Sequence, residues 1–120
     1  EAIKRTALRG DGWHPTGVSA ESYALTKHEI MEAATAAGRD ASAMTWSTRL
    51  EVEVHGRPSS ERASTRTRLP GDNSEMMVAG IKAYQDAGVD HMVLALNSGD
   101  VSALKRLMET IANEVLPEFP

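Results

Sequence analysis

From Met44 to Val54, apolar and polar residues alternate without a break. Met44, Trp46, Thr48, Leu50, Val52 and Val54 take one side, and Thr45, Ser47, Arg49, Glu51 and Glu53 take the other. A period of two over eleven residues is the signature of a β-strand with one apolar face. The rest of the chain is then read around that strand. His55-Gly56-Arg57-Pro58-Ser59-Ser60 ends it.

Ala2 to Leu8 reads as a short helix, with Gly10 placed as a left-handed C-terminal cap. Asp11 to Pro15 is too short for a helix and stops at proline, so it reads as a short strand and its exit. Ser19 is an N-cap, with Glu21 near the positive end of the helix dipole. The helix it opens carries an apolar band from Ala24 to Ala37 and ends at Gly38. Asp72 or Asn73 caps another helix, with Met77, Ile81 and Tyr84 on one face and Gly88 after it. Val89 to Leu96 is a short, mostly apolar run, the pattern of a strand buried on both faces. After the turn Asn97-Ser98-Gly99-Asp100, a last helix runs from about Val101 to Val115. Leu104, Leu107, Met108, Ile111 and Val115 are expected to face inward. Residues 57 to 69 are polar, with Arg57, Arg62, Arg66 and Arg68 and no apolar period, and are expected to form a flexible loop.

Strands alternating with helices predict an α/β fold with a parallel sheet, in one domain spanning residues 1–120. Three strands are few for such a sheet and leave two edges open. The chain opens on Glu1 in a sequence that is already helical, so an upstream part is expected.

Composition removes several function classes. The net charge of −4 argues against general nucleic-acid binding. No cysteine is present, so disulfides and thiolate metal sites are excluded, and a reducing, cytoplasmic setting is the default. No apolar run approaches the roughly 20 residues of a membrane span. His14, His28, His55 and His91 are scattered without metal-ligand spacing, and Glu29 and Glu32 beside His28 read as a solvated helix face. No nucleophile-elbow pattern appears.

Three segments together resemble the luciferase-like monooxygenase family. Ala7-Leu8-Arg9-Gly10-Asp11-Gly12-Trp13-His14-Pro15 is similar to the family's ARLGDGWHP stretch. Ala36-Ala37-Gly38-Arg39-Asp40 is similar to its helix end EAGRDP. Gly71-Asp72, followed by Ala83-Tyr84-Gln85-Asp86-Ala87-Gly88-Val89-Asp90-His91-Met92-Val93-Leu94, is similar to GTPEEVAERLRAYADAGVDHLVL. Glu114-Val115-Leu116-Pro117 matches a usual ending. The order and spacing of these motifs span nearly the whole chain.

The resemblance implies the last three or so βα units of a TIM (β/α)8 barrel. It implies FMN or the deazaflavin coenzyme F-420 as cofactor, and hydride transfer or oxygenation of a small organic substrate in a full-length parent. The family's first strands, with much of its cofactor pocket, have no counterpart here, so the isolated chain is expected to be inactive. The alternative is a non-catalytic partial barrel that self-associates through its open sheet edges as a homo-oligomer.

Active sites of such barrels sit at the C-terminal ends of the strands. That places Trp13 and His14 as cofactor-facing residues, or Trp13 as core filler with His14 starting a loop. Asn97, Ser98 and Gly99 could offer backbone N–H groups to a cofactor phosphate, or form a plain turn capped by Asp100. Arg49 is the substrate-facing candidate on a strand face that is otherwise read as solvated. The loop arginines could grip an anionic tail or simply be solvated. His91, at the start of a strand, is read as structural.

Overall fold

The computed structural model describes residues 1–54 and 66–120. Eight main elements follow in order: α1 (Ala2–Arg9), β1 (Gly12–Trp13), α2 (Ala20–Ala36), β2 (Thr45–Glu53), β3 (Arg68–Pro70), α3 (Ser74–Asp86), β4 (His91–Leu96) and α4 (Val101–Thr110). A 3-10 turn, Ala41–Ala43, leads into β2. The last helix continues through a π turn, Ile111–Val115, and a 3-10 turn, Leu116–Glu118. This is the α/β alternation expected from the sequence.

All strand pairing is parallel and runs through β2. β1 pairs with its start (Gly12 with Thr45, Trp13 with Trp46). β4 runs alongside it from Ser47–His91 to Val52–Leu96. β3 pairs with its end, Glu51 to Glu53. Because β3 and β4 both pair with Glu51 and Val52, they lie on opposite edges of β2. The Trp46 carbonyl accepts from the Asp90 amide on the β4 side, whereas the Thr45 amide donates to the Asp11 carbonyl. β1 therefore shares the β3 edge. Gly17 bridges the two, donating to the Arg49 carbonyl and accepting from the Thr67 amide. β1 and β3 thus follow one another along one side of the central strand.

The alternation read from the sequence decides the layers. Met44, Trp46, Thr48, Leu50, Val52 and Val54 are all buried. Leu50 and Val52 pack with Leu69, Met77, Tyr84 and Val115 from β3, α3 and the last helix. Met44 and Trp46 pack with Ala7, Tyr23, Ile30 and Ala34 from α1 and α2. Every helix therefore lies on one face of the sheet. Thr48, the polar residue on that face, donates through Oγ1 to the Pro15 carbonyl at 3.1 Å, so its burial leaves no hydroxyl unpaired.

Caps fall where the sequence placed them. Ser19 Oγ accepts from the Ser22 amide, Asn73 Oδ1 from the Met76 amide and Asp100 Oδ1 from the Ala103 amide. Gly88 has φ +88°, and a Cβ there would collide with Lys27 Nζ, which donates to the Gly88 carbonyl at 2.9 Å. Gly10 departs from expectation, because its φ of −82° is extended rather than left-handed. It ends α1 through its own amide on the Thr6 carbonyl, and a Cβ would sit 2.9 Å from that oxygen. Close approach, not handedness, selects glycine there. Arg39 completes this helix end, donating to the Ala7 and Gly10 carbonyls at 2.7 and 2.9 Å.

Three further expectations are corrected. β4 is only partly buried, and on one face: Met92, Leu94 and Leu96 are half-buried against the core, while His91 is exposed and Val93 is 38% exposed. An unbroken apolar run does not reveal that only one face has helices to cover it. Met108 is exposed, because the inward stripe of the last helix passes through Leu107 and Ile111. Of the expected polar loop, residues 57–65 lie outside the described residues. Its end, however, is strand β3, anchored by Leu69 at 3% exposure. Three residues are too few to show a period. No helix among the described residues is long and apolar enough to cross a membrane.

Leu50 is fully buried at the centre of this packing. Leu50→Ala is expected to cost about 2–5 kcal/mol of unfolding free energy. Glu53→Ala, on the exposed opposite face, is expected to stay within about 0.5 kcal/mol. Urea denaturation of both variants checks this, and equal losses would contradict the one-sided core.

Candidate functional site

In-register neighbours of a parallel sheet point to the same side, so the uncovered face can be read row by row. His14 follows Trp13, which pairs with Trp46, and so stands level with Ser47, which itself pairs with His91. The next row is Thr16, Arg49 and Val93. Then come Arg68, Glu51 and Ala95. This face is polar, and among the described residues no helix covers it.

His14 and Ser47 are joined directly, Nδ1 to Oγ at 2.8 Å. Ser47 Oγ also lies 3.5 Å from the Trp13 carbonyl, to which it donates. From the helix side, the Tyr23 hydroxyl donates to the Ser47 carbonyl at 3.2 Å. Arg68 is paired with Glu51 at 3.1 Å, and its Nε is buried without a hydrogen-bond partner among the described residues. The main chain of Arg49 is bonded to Pro15 and Gly17. Its guanidinium makes no hydrogen bond or ion pair among the described residues.

Trp13 is separated from its neighbour His14 by the strand's own alternation. Its indole lies on the helix side, against Tyr23 with ring centroids 4.7 Å apart, and packs on the cluster around Trp46. Trp46 carries Lys27 Nζ 4.8 Å above its ring. Trp13 thus supports the layer behind the polar face.

Asn97 to Gly99 follow β4 at the other end of the sheet. Asn97 comes after Leu96, the partner of Val52, so it is level with Glu53. Six residues separate that level from Ser47, or roughly 20 Å at about 3.3 Å per residue. His14 and the 97–99 turn both end their strands, yet the stagger of the strands holds them apart. Gly99 has open space around it. Ser98 Oγ accepts from the Asp100 amide at 3.0 Å, and Asp100 caps α4. Those two amides are therefore already satisfied.

His28 and Glu32 form an exposed pair at 3.3 Å, a solvated helix face as the sequence suggested. His55, Arg57 and Arg62 lie outside the described residues. Sequence reasoning passed over Ser47 and Tyr23. The signal for Ser47 was its place on the polar face of β2, one step from the candidate Arg49.

No family model matches the sequence, and no curated protein matches it. Solved structures do. The chain is similar to an F-420-dependent secondary alcohol dehydrogenase in complex with an F-420-acetone adduct. That match has a TM-score of 0.71 and 16% identity, and covers 98% of this chain and 46% of that one. It is also similar to the coenzyme F-420-dependent tetrahydromethanopterin reductase from Methanopyrus kandleri, at a TM-score of 0.69 and 14% identity, over 98% of this chain and 48% of that one. The fold is therefore that of part of a TIM (β/α)8 barrel, with parallel strands alternating with helices. The chain spans about half the length of the structures it matches.

Burial, and then the charge of Asp90, push the Tyr23 hydroxyl up to about 12 from its ordinary value of 10.0. The fold favours the neutral phenol, so this contribution to stability is complete below pH 10 and is lost as the pH rises through about 12. Burial raises Tyr84 as well. Wild type is expected to lose stability between pH 10 and 12, and Tyr23→Phe to lose less over that window. Thermal melts at fixed ionic strength check this, and parallel curves would remove Tyr23 from the account.

Proposed function

We propose that this chain is the C-terminal portion of a luciferase-like oxidoreductase. In the full-length protein, hydride would pass between a deazaflavin or flavin and a small organic substrate. The observation that carries the reading is the fold likeness over 98% of the chain to two enzymes that are both described as coenzyme F-420-dependent. The same likeness favours the deazaflavin over FMN.

The residues present fit such a cofactor. The face carrying His14, Ser47 and Arg49 is polar and, among the described residues, has no helix over it. The Arg49 guanidinium, unpaired among the described residues, suits an anionic group, whether on the cofactor or on the substrate. Asn97, Ser98 and Gly99, beyond the C-terminal end of β4 where barrels of this kind bind ligands, would stand near a cofactor phosphate. His14 is roughly 20 Å back along the sheet and would serve a different part of the bound ligands. With Asp100 capping α4, Gly99 would contribute chiefly by letting the ligand approach closely. When bound, the cofactor supplies the hydride donor or acceptor. The chain's own residues bind and orient.

A second reading is favoured by one observation, the outer edge of β4. Among the described residues β4 pairs only with β2, and Val93 on it is 38% exposed. A partial barrel that self-associates would cover such an edge.

Titration of the purified chain with coenzyme F-420 and with FMN, followed by cofactor fluorescence, tests the first reading. Saturable binding is expected with F-420, weakened at least tenfold in Arg49→Ala and less so in Arg66→Ala. No saturation with either cofactor would overturn a direct cofactor role for this chain. Light scattering on the same sample addresses the second reading. A stable multiple of 13.0 kDa without cofactor affinity would favour self-association.

A further inference from the structure

The hydrogen bonds around Ser47 fix more than position. A serine hydroxyl carries one proton and can donate once. The Trp13 carbonyl, 3.5 Å from Ser47 Oγ, can only accept. His14 Nδ1, 2.8 Å from the same oxygen, can donate or accept according to its tautomer. Both bonds form together in one arrangement only. Ser47 donates to Trp13, and His14 Nδ1–H donates to Ser47.

We propose that Ser47 is a positioning residue that holds His14 in its Nδ1–H tautomer, presenting Nε2 as a hydrogen-bond acceptor on the uncovered polar face. Ser47 is well placed to impose this. Its main chain is held in β2 and its carbonyl accepts from the Tyr23 hydroxyl, so its Oγ is delivered from a buried, well-packed strand. The His14 ring is exposed, so its other nitrogen is open to a ligand. The chemistry follows from the tautomer. An Nε2 lone pair takes a hydroxyl or N–H group and rejects a neutral carbonyl oxygen. Arg49, one row along β2, offers the opposite preference, for an anion. A ligand on this face would thus meet an acceptor at His14 and a cation at Arg49, about two residues apart along the strand. The ligand assignment rests on the reading under "Proposed function"; the tautomer does not.

The test is nitrogen-15 NMR of the histidine side chains in the ligand-free chain, with the rings neutral and His14 assigned from the signals missing in His14→Asn. In wild type, His14 is expected to show a pyrrole-like Nδ1 and a pyridine-like Nε2. Ser47→Ala should abolish that preference, and Ser47→Thr, which keeps the hydroxyl, should restore it. An Nε2–H tautomer in wild type would overturn the proposal, as would one unchanged in Ser47→Ala. If Ser47→Ala does not fold, the wild-type and Ser47→Thr spectra still decide. Because no cofactor is present, a failure here is distinct from a failure of the cofactor titration.

Discussion

Every other element of this molecule depends on the burial of one face of β2. The inward side chains of β2 and of its flanking Met44 and Val54 reach both clusters of the core, so the helices at either end of the chain are tied through a single strand. The parallel ladder adds to this, since β1, β3 and β4 have β2 as their common partner. A parallel sheet normally has both faces covered. Here the helices cover one, and the other is polar. That asymmetry leaves a surface on which polar and charged side chains can stand in rows.

The rows do not act alike. Glu51 and Arg68 pair across the strands, and an ion pair of this kind holds β3 in register more than it offers chemistry. Arg49 and His14 differ because, among the described residues, neither is paired with a neighbouring charge. His14 is tied by a hydrogen bond that orients it and leaves the other ring nitrogen open. The layer behind contributes through Tyr23, which touches Trp13 by its ring and Ser47 by its hydroxyl. Core packing and the polar face are thus joined at one strand position.

Much of the fold was legible in the sequence because its signals are local. Ser19 and Asp100 announce helix starts by side-chain chemistry that acts within three residues. Gly38 and Gly88 mark ends that require positive φ, and both have it. Gly10 carried the same letter for a different reason, a backbone oxygen too close for a Cβ. β3 left no trace, because three residues show no period and its anchor, Leu69, is known only by what it packs against. The candidate site was legible in part. Arg49 was marked by the alternation of β2. The partnership of His14 with Ser47 was not, because the two are 33 residues apart and meet only through strand pairing.

By itself the sequence determined the order of the helices and of every strand but β3, the caps, the apolar face of β2 and, through its motifs, a resemblance to part of a (β/α)8 barrel. Those properties rest on periodicity and on contacts within a few residues. The tertiary structure alone decided that β1 and β3 share one edge of β2, that Trp13 turns toward Tyr23 while His14 turns away, and that His14 lies far along the sheet from Asn97. Each is a matter of register between distant segments. Register is set by how whole faces pack, and no short stretch of sequence contains it.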